Sequence, residues 1–230
     1  MTESSVIAIL GGTGQEGSGL AFRWAFAGHD VIIGSRSGDK ALATAAELNA
    51  LLTGRGHVRG ATNLEAAREA EIAVLTVPYS AQRATADEVR AELEGKILVD
   101  VTVPLAPPVD RVQLPNGESA VLALQRALGP GVIVVSAFQN VSATHLKTAS
   151  HVIDCDVLVC ADDKAARERV VALAEDAGLR GIHAGALANS AAVEAMTSVL
   201  IAINKHYKVR ASGVRITGLP LPSGGGDASA

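Results

Sequence analysis

The feature that most constrains the fold of this 230-residue chain is a glycine-rich turn near its start. The apolar run VIAIL at 6–10 leads into GGTGQEGSG, and a helix-forming segment follows at once. Gly12, Gly14 and Gly17 satisfy the pattern GxGxxG in its strand–turn–helix context. Gly12 would allow the tight turn, Gly14 the approach of a pyrophosphate, and Gly17 close packing of helix on strand. Because helix N-termini attract anions, the turn predicts dinucleotide binding.

The remaining chain alternates short Val/Ile/Leu runs with longer helical stretches, which is typical of βα repeats. Strands are expected near 6–10, 30–34, 57–60, 72–77, 97–101, 132–136, 156–160 and 180–183. Helices are expected near 15–27, 38–53, 63–69, 80–94, 117–128, 164–177 and 187–207. Several strands are apolar without alternation, as expected when helices cover both faces of a sheet. The pattern predicts an α/β, Rossmann-type, doubly wound and mostly parallel sheet.

Composition narrows the classes of function. A net charge of -4 argues against a nucleic-acid partner. The N-terminus lacks the pattern of a secretory signal, and segment 186–204 carries enough polar residues to read as a packed helix and not a membrane span. Cys155 and Cys160 have no nearby histidine cluster, so we expect buried thiols and no metal site. A cytoplasmic protein without a membrane partner is expected.

The end of the second strand indicates which dinucleotide binds. An NAD site commonly has an acidic residue there, but this strand ends in Ser35 and Arg36, with Lys40 one turn into the next helix. A hydroxyl and two cations can hold a ribose 2′-phosphate, which a carboxylate would repel. Thr13 could add a hydroxyl. The sequence therefore favours NADP(H), the alternative being that Arg36 and Lys40 are ordinary solvated charges.

Two further strand ends should open on the same cleft, because ligands of open α/β sheets lie at the carboxyl edge. Thr76, Pro78 and Tyr79 follow the fourth strand and could wall the nicotinamide, or simply form a turn. The sixth strand leads into the candidates for contact with a second substrate, which are Phe138, Gln139, Asn140 and Val141.

A conventional acid/base set is not evident. Tyr79 is followed by Arg83 and Tyr207 by Ala211, so the YxxxK pair of short-chain dehydrogenases is missing, and the six histidines form no HxH or HExxH pattern. Hydride transfer between two conjugated rings does not strictly need a protein acid. We therefore expect catalysis by positioning, with no catalytic side chain.

The motifs together resemble the F420-dependent NADP reductases, where F420 is a deazaflavin coenzyme. The resemblance runs from about Val6 to Leu219, and its segments are IAILGGTGQEGSGLA, VIIGSRSGDKA, EIAVLTVPY, VCADD and DAGLRGIHAGALANSAAVEAMTSVLIAIN. It implies an NADP-binding Rossmann domain over 1–150, a small C-terminal α/β extension over 151–218 with substrate-cleft and dimer contacts, and a homodimer. The Gly/Ser-rich residues 219–230 are expected to form a flexible tail.

The resemblance also implies roles for residues. The stretch Thr13, Gly14, Gln15 and Glu16 would line the pyrophosphate and ribose, Tyr79 and Ala143 would lie along the nicotinamide, and 139–141 would contact the deazaflavin. Tyr79 stands where relatives often have Trp, and Gln139 where archaeal relatives have His. The activity implied is hydride exchange between NADP(H) and F420; the alternatives are reduction of another acceptor, such as a flavin or an imine, and a non-catalytic NADP(H) sensor.

Overall fold

The structure, a computed structural model, describes residues 4–219. The strands are β1 Val6–Leu10, β2 Asp30–Ser35, β3 His57–Thr62, β4 Ile72–Leu75, β5 Ile97–Asp100, β6 Ile133–Ser136, β7 Asp156–Val159 and β8 Arg180–His183. The α-helices are α1 Gln15–Ala27, α2 Gly38–Leu52, α3 Asn63–Glu69, α4 Tyr79–Glu88, α5 Ala120–Leu128, α6 Lys164–Asp176 and α7 Ser190–Tyr207. These elements follow the predicted βα alternation closely.

Strands β1 to β6 form one parallel sheet in the order β3-β2-β1-β4-β5-β6. This is the order of the doubly wound dinucleotide-binding fold, and it confirms the predicted fold class. From β1 the sheet is extended on one side by β2 and β3 and on the other side by β4, β5 and β6, so the winding order changes between β1 and β4. A crevice therefore opens at the carboxyl ends of these two strands, directly beside the glycine-rich turn.

Both faces of the sheet are buried, which explains why its strands read as continuous apolar runs. In β1, Ile7 and Ile9 face a core shared with α1, α2 and α6. Ala8 and Leu10 point the other way, into a core shared with α3 and α5. The sheet is consequently held from both sides, and its carboxyl edge is a rigid platform.

The C-terminal extension packs on this sheet and shares its core. β7 and β8 form a two-stranded parallel sheet, and an antiparallel bridge joins Ser136 to Cys160. The indole Nε1 of Trp24 on α1 donates a hydrogen bond of 2.8 Å to the Leu173 carbonyl on α6. The division at residue 150 stays a prediction, and of the predicted tail only Leu219 is among the described residues.

Some boundaries differ from the sequence expectation for identifiable reasons. The helix expected over 80–94 ends at Glu88 and continues as a 3-10 turn at Arg90–Leu93. The helix expected from 117 begins at Ala120, because the Ser119 hydroxyl caps it by accepting from the Leu122 N–H. The helix expected from 187 begins at Ser190, after a 3-10 turn at Leu187–Asn189.

Segment Leu187–Tyr207 corrects the expectation that it is too polar to span a membrane. By length and composition alone it could cross one, and it is the single such segment within residues 4–219. Its most apolar window is 33% buried against the rest of the chain. Glu194, in the second turn of α7, is 1% exposed and bound to the start of α5, so this part of the helix packs on the domain.

Candidate functional site

A cavity of about 500 Å³ lies over the carboxyl ends of β1, β2 and β4. Its volume falls within the range of small-molecule and cofactor sites. Its lining residues come from four connections of the sheet and are Gly11, Thr13, Gly14, Ser35, Arg36, Ser37, Lys40, Asn63, Thr76, Val77, Pro78, Ala81 and Thr85. We call this the first cavity. It brings together the glycine-rich turn and the end of the second strand, as the sequence predicts.

The glycine-rich turn needs three of its glycines for different reasons. The left-handed backbone, at φ 71°, is at Gly11 and not at Gly12. A Cβ on Gly12 would lie 2.7 Å from the Ile9 carbonyl oxygen, and one on Gly17 would collide with the Thr76 hydroxyl. A Cβ on Gly14 would meet nothing within 4 Å. The open space at Gly14, which caps the N-terminus of α1, is therefore room for a ligand and not for packing.

Two cations of the first cavity are free of protein partners. Arg36 and Lys40 are exposed, and within residues 4–219 neither forms an ion pair or a side-chain hydrogen bond. Ser35 is 8% exposed, and its hydroxyl accepts a hydrogen bond of 3.2 Å from the Ser37 N–H. Unpaired cations beside hydroxyl groups are what a phosphate ester would bind.

Asn63 belongs to this cavity although its sequence context did not suggest it. It is 1% exposed, and its Oδ1 accepts a hydrogen bond of 3.1 Å from the Gly11 N–H. It is the first residue of α3, which begins with a capping box between Thr62 and Glu65. The pattern TNLE predicts that helix start, but only the sheet order places Asn63 against the glycine-rich turn.

A second cavity, of about 210 Å³, continues from the first along the carboxyl edge toward β5 and β6. The two cavities share Thr76, Val77 and Pro78. The remaining lining residues of the second cavity are Glu16, Tyr79, Val101, Thr102, Val103, Leu105, Gln139, Val141 and Thr197. Tyr79 and Leu105 also line a third cavity of about 220 Å³, whose other lining residues lie in the loop after β5 and are Pro104, Ala106, Gln113, Leu114 and Pro115. The site is thus an elongated cleft whose first two compartments share one wall.

Gln139 lines the second cavity and carries an unused hydrogen-bond acceptor. Its Nε2 donates to the Asp100 carbonyl at 2.7 Å and to the Ser136 hydroxyl at 2.9 Å, which fixes the orientation of the amide. Its Oε1 is buried and has no hydrogen-bond partner. The Gln139 carbonyl in turn accepts from the Thr197 hydroxyl of α7 at 2.8 Å. Because a buried unsatisfied acceptor is costly, this oxygen is suited to a ligand N–H or O–H group.

Asp100, the last residue of β5, is hydrogen-bonded to Thr102 and Gln139, which both line the second cavity. It is fully buried, and its carboxylate accepts from Gln82 Nε2 at 2.6 Å and from the Thr102 N–H at 2.9 Å. Burial raises the pKa of Asp100 to about 7, against the lowering effect of these hydrogen bonds. The network connects α4 to the end of β5. A sequence motif could not predict it, because Gln82 and Asp100 lie in separate elements that only the fold brings together.

Glu16 lies in the second cavity, and Gly14 in the first. Its Oε1 is shielded from solvent and has no hydrogen-bond partner, and burial raises the pKa of Glu16 to about 8. The sequence expectation placed Glu16 with the pyrophosphate and ribose. In the structure Glu16 lines the second cavity together with Gln139 and Thr197, further along the cleft.

Glu194 anchors α7 to the sheet domain. Its carboxylate accepts from the Ser119 hydroxyl at 2.5 Å, from the Ala120 N–H at 2.9 Å and from the Val121 N–H at 3.2 Å. It therefore occupies the N-terminus of α5, where backbone N–H groups need acceptors. Burial raises the pKa of Glu194 in spite of these bonds. One turn later, Thr197 reaches the loop of Gln139.

Several predicted site residues lie away from the cavities. Phe138 is a correction: its ring is fully buried and packs edge-on against Trp24, with centroids 5.7 Å apart, so it cannot contact a substrate. Asn140 is 2% exposed, and its Nδ2 donates to the Asp156 carbonyl at 2.6 Å. Ala143 packs against the core. Gly12, Gln15 and Gly17 line neither the first nor the second cavity.

The two acidic residues before α6, Asp162 and Asp163, accept hydrogen bonds from different parts of the backbone. Asp163 is the N-cap and accepts from the Ala166 N–H at 2.7 Å, whereas Asp162 accepts from the Leu187 N–H at 3.0 Å. Cys155 and Cys160 are buried free thiols, and burial raises the pKa of Cys160 to about 11. In the part of the chain that the structure describes, no group of three or more His, Cys, Asp or Glu side chains could hold a metal ion.

Comparison with known proteins is consistent with this site. Residues 6–104 match the family model described as NADP oxidoreductase coenzyme F420-dependent. The chain is 42% identical to the F420-dependent NADP reductase of Methanothermobacter marburgensis over 93% of this chain and 99% of the relative. It is 40% identical to the enzyme of the same name from Methanocaldococcus jannaschii, over 94% and 99% of the two chains.

A solved structure of a protein from Arthrobacter sp. fb24, proposed to be an F420-dependent NADP reductase, has a similar fold. The TM-score is 0.79 at 26% sequence identity, and the match covers 93% of this chain and all of that one. The similarity therefore extends through the C-terminal extension and is not limited to the glycine-rich turn.

Proposed function

Because the chain belongs to the F420-dependent NADP reductase family, we propose that it transfers a hydride between NADP(H) and coenzyme F420. The observation that carries the proposal is the shared wall of Thr76, Val77 and Pro78. A dinucleotide anchored in the first cavity would pass along this wall and end where the second cavity opens. Donor and acceptor rings could thus meet in one cleft.

The first cavity supports the NADP(H) half of the proposal. Arg36 and Lys40, both unpaired, would bind the 2′-phosphate with Ser35 and Ser37. The open space at Gly14 and the N-terminus of α1 would receive the pyrophosphate, with Thr13 beside it.

The second and third cavities support the acceptor half. Tyr79 and Leu105 join these two cavities, which makes the cleft long enough for an extended ring system. The free Oε1 of Gln139 would accept a hydrogen bond from the acceptor, and Val141 would supply an apolar contact. F420 supplies an electrophilic ring carbon when bound, and the residues of the cleft would orient the rings and exclude water.

Homodimer formation and a cytoplasmic location are part of the same proposal. Val199, Ile203 and Tyr207 follow one another at intervals of four residues on α7, and each is more than one third exposed. A second copy of the chain would cover this apolar stripe. Burial of this stripe between two copies would explain why α7 is long and apolar without requiring that it cross a membrane.

The direct test mixes the purified protein with NADPH and oxidised F420 and follows the absorbance of the deazaflavin. We expect its loss, and a much slower reaction when NADH replaces NADPH. A flavin and a cyclic imine are run in parallel as acceptors. Turnover of either one without turnover of F420 would replace the proposed acceptor, and tight NADPH binding with no turnover at any pH would favour a sensor.

A further inference from the structure

The second cavity contains one carboxyl group without a protein partner. Glu16 is the second residue of α1, and its Oε1 is shielded from solvent and makes no hydrogen bond. The cavity also holds the unpartnered Oε1 of Gln139, whose residue is 4% exposed. Two residues that line the same cavity thus each carry a buried oxygen that no protein group satisfies, which indicates that a ligand completes this place.

No cation lines the second cavity within residues 4–219. Among the residues lining the second cavity, the titratable side chains are Glu16 on α1 and Tyr79 on α4, whereas Arg36 and Lys40 line the first cavity. Two other buried carboxyls have partners of their own: Asp100 of β5 is bound to Gln82 and Thr102, and Glu194 of α7 to the start of α5. Burial is the cause that raises the pKa of Glu16 to about 8. The carboxyl is therefore mainly neutral at pH 7.

We propose that Glu16 is a charge-compensating group, which gives up its proton when an oxidised nicotinamide lies at the opening of the second cavity, against the wall that the two cavities share. The inference rests on the proposed function, since it requires that the nicotinamide end of NADP(H) reach this cavity. It assigns to Glu16 a role other than contact with the pyrophosphate and ribose.

The physical reason is the charge of the ring. The nicotinamide of NADP⁺ is cationic, whereas the dihydronicotinamide of NADPH is neutral. A cation within about 4–6 Å of a carboxyl lowers its pKa by roughly 1–3 units. Starting from about 8, this leaves a pKa of roughly 5–7, so that at least half of the carboxyl is ionised at pH 7. NADP⁺ would thus bind with release of a proton from Glu16 to solvent, and NADPH would bind without that release.

Linkage gives this arrangement a functional consequence. If NADP⁺ favours the ionised carboxyl, then ionisation favours NADP⁺ over NADPH by the same factor. The preference is absent well below the pKa of the carboxyl in the NADP⁺ complex and is complete above the value of about 8 in the free protein. Ionisation of Glu16 should therefore make bound NADPH a stronger hydride donor as the pH rises.

The test measures binding and not turnover. The dissociation constants of NADP⁺ and NADPH are measured by calorimetry from pH 6 to pH 9, and their ratio cancels the titration of the 2′-phosphate that both ligands carry. We expect Kd(NADP⁺)/Kd(NADPH) to fall by about tenfold or more across this range. Titrations at pH 7.5 in two buffers of different ionisation enthalpy should show net proton release with NADP⁺ beyond that seen with NADPH.

Glu16→Gln should remove both effects while still binding NADPH, which also shows that the variant is folded. Glu47→Gln, an exposed substitution on α2, is the matched control and should behave as the unmodified protein. A ratio that does not change with pH, or one that changes equally in Glu16→Gln, would overturn the inference while leaving the proposed function intact. If neither dinucleotide binds, the proposed function fails, and the inference fails with it.

Discussion

At the scale of single residues, Arg36 is expected to decide between NADP(H) and NAD(H). Its guanidinium lines the first cavity without an ion-pair partner, so its removal exposes no other buried charge. A charge-assisted hydrogen bond contributes about 1.5–3 kcal/mol, so Arg36→Ala should raise KM for NADPH by roughly 10- to 150-fold. KM for NADH should stay almost unchanged. Steady-state kinetics with both donors at saturating acceptor measure the two values.

Arg126→Ala is the matched control for this substitution. Arg126 is also exposed, but it lies on α5 and pairs with Glu118, away from the first cavity. It should leave both Michaelis constants within a factor of about two, because an exposed ion pair contributes little. An equal rise for NADPH and NADH in Arg36→Ala would show that Arg36 does not read the 2′-phosphate.

The residues of the two cavities differ in how far the sequence could predict them. Ser35, Arg36 and Lys40 lie within six positions at one strand end, so a local motif places them together, and they do line one cavity. Glu16 and Gln139 are brought together by the sheet, more than a hundred positions apart. No local pattern carries that juxtaposition, so the sequence alone predicts a place for Glu16 at the pyrophosphate and ribose and gives no sign of its neighbours in the second cavity.

At the scale of elements, the glycine-rich turn and α1 predict opposite outcomes for two similar substitutions. A Cβ on Gly17 would collide with the Thr76 hydroxyl and lie 2.8 Å from the Gly12 Cα, whereas one on Gly14 would meet nothing within 4 Å. Gly17→Ala should therefore destabilise the fold by about 1–3 kcal/mol, because β4 and the turn must move apart. Gly14→Ala should unfold at nearly the same denaturant concentration as the unmodified protein.

For ligand binding the order of the two substitutions should be reversed, with Gly14→Ala causing the larger loss of affinity. Gly14→Ala places a methyl group in the space proposed for the pyrophosphate, so we expect NADP⁺ affinity to fall by about tenfold or more. Each variant serves as the control for the other when chemical denaturation and calorimetric binding are measured on both. Equal destabilisation by the two substitutions, or unchanged affinity in Gly14→Ala, would contradict this division of labour.

Element types were predictable because hydrophobic periodicity records burial directly, and both faces of the sheet are buried. The ends of the elements are harder to predict than their types, because helix ends depend on capping residues. α5 begins at Ala120 because Ser119 caps it and because Glu194, 74 positions away, accepts from the Ala120 N–H. A serine alone predicts a possible start, but the carboxylate that stabilises it comes from another part of the chain.

At the scale of the whole molecule, the order of the six-stranded sheet determines where the cleft lies. β1 and β4 are neighbours although two strands separate them in sequence, and the crevice between their carboxyl ends receives the turn, α4 and the loop after β6. α7 then closes the far side through Thr197. The family resemblance implied a small C-terminal extension with contacts to the substrate cleft, whereas periodicity alone predicted a doubly wound, mostly parallel sheet.

The apolar stripe of α7 predicts the assembly state. Val199, Ile203 and Tyr207 are 44%, 37% and 70% exposed, which is unfavourable for a contiguous apolar surface in water. Light scattering coupled to gel filtration should give twice the mass of the 23.5 kDa chain at micromolar concentration. Ile203→Asp should shift the protein to the monomer, because a dimer would bury the new carboxylate and a monomer would leave it in water. Leu51→Asp, on an exposed position of α2, should stay dimeric, and a monomeric unmodified protein would refute the proposed assembly.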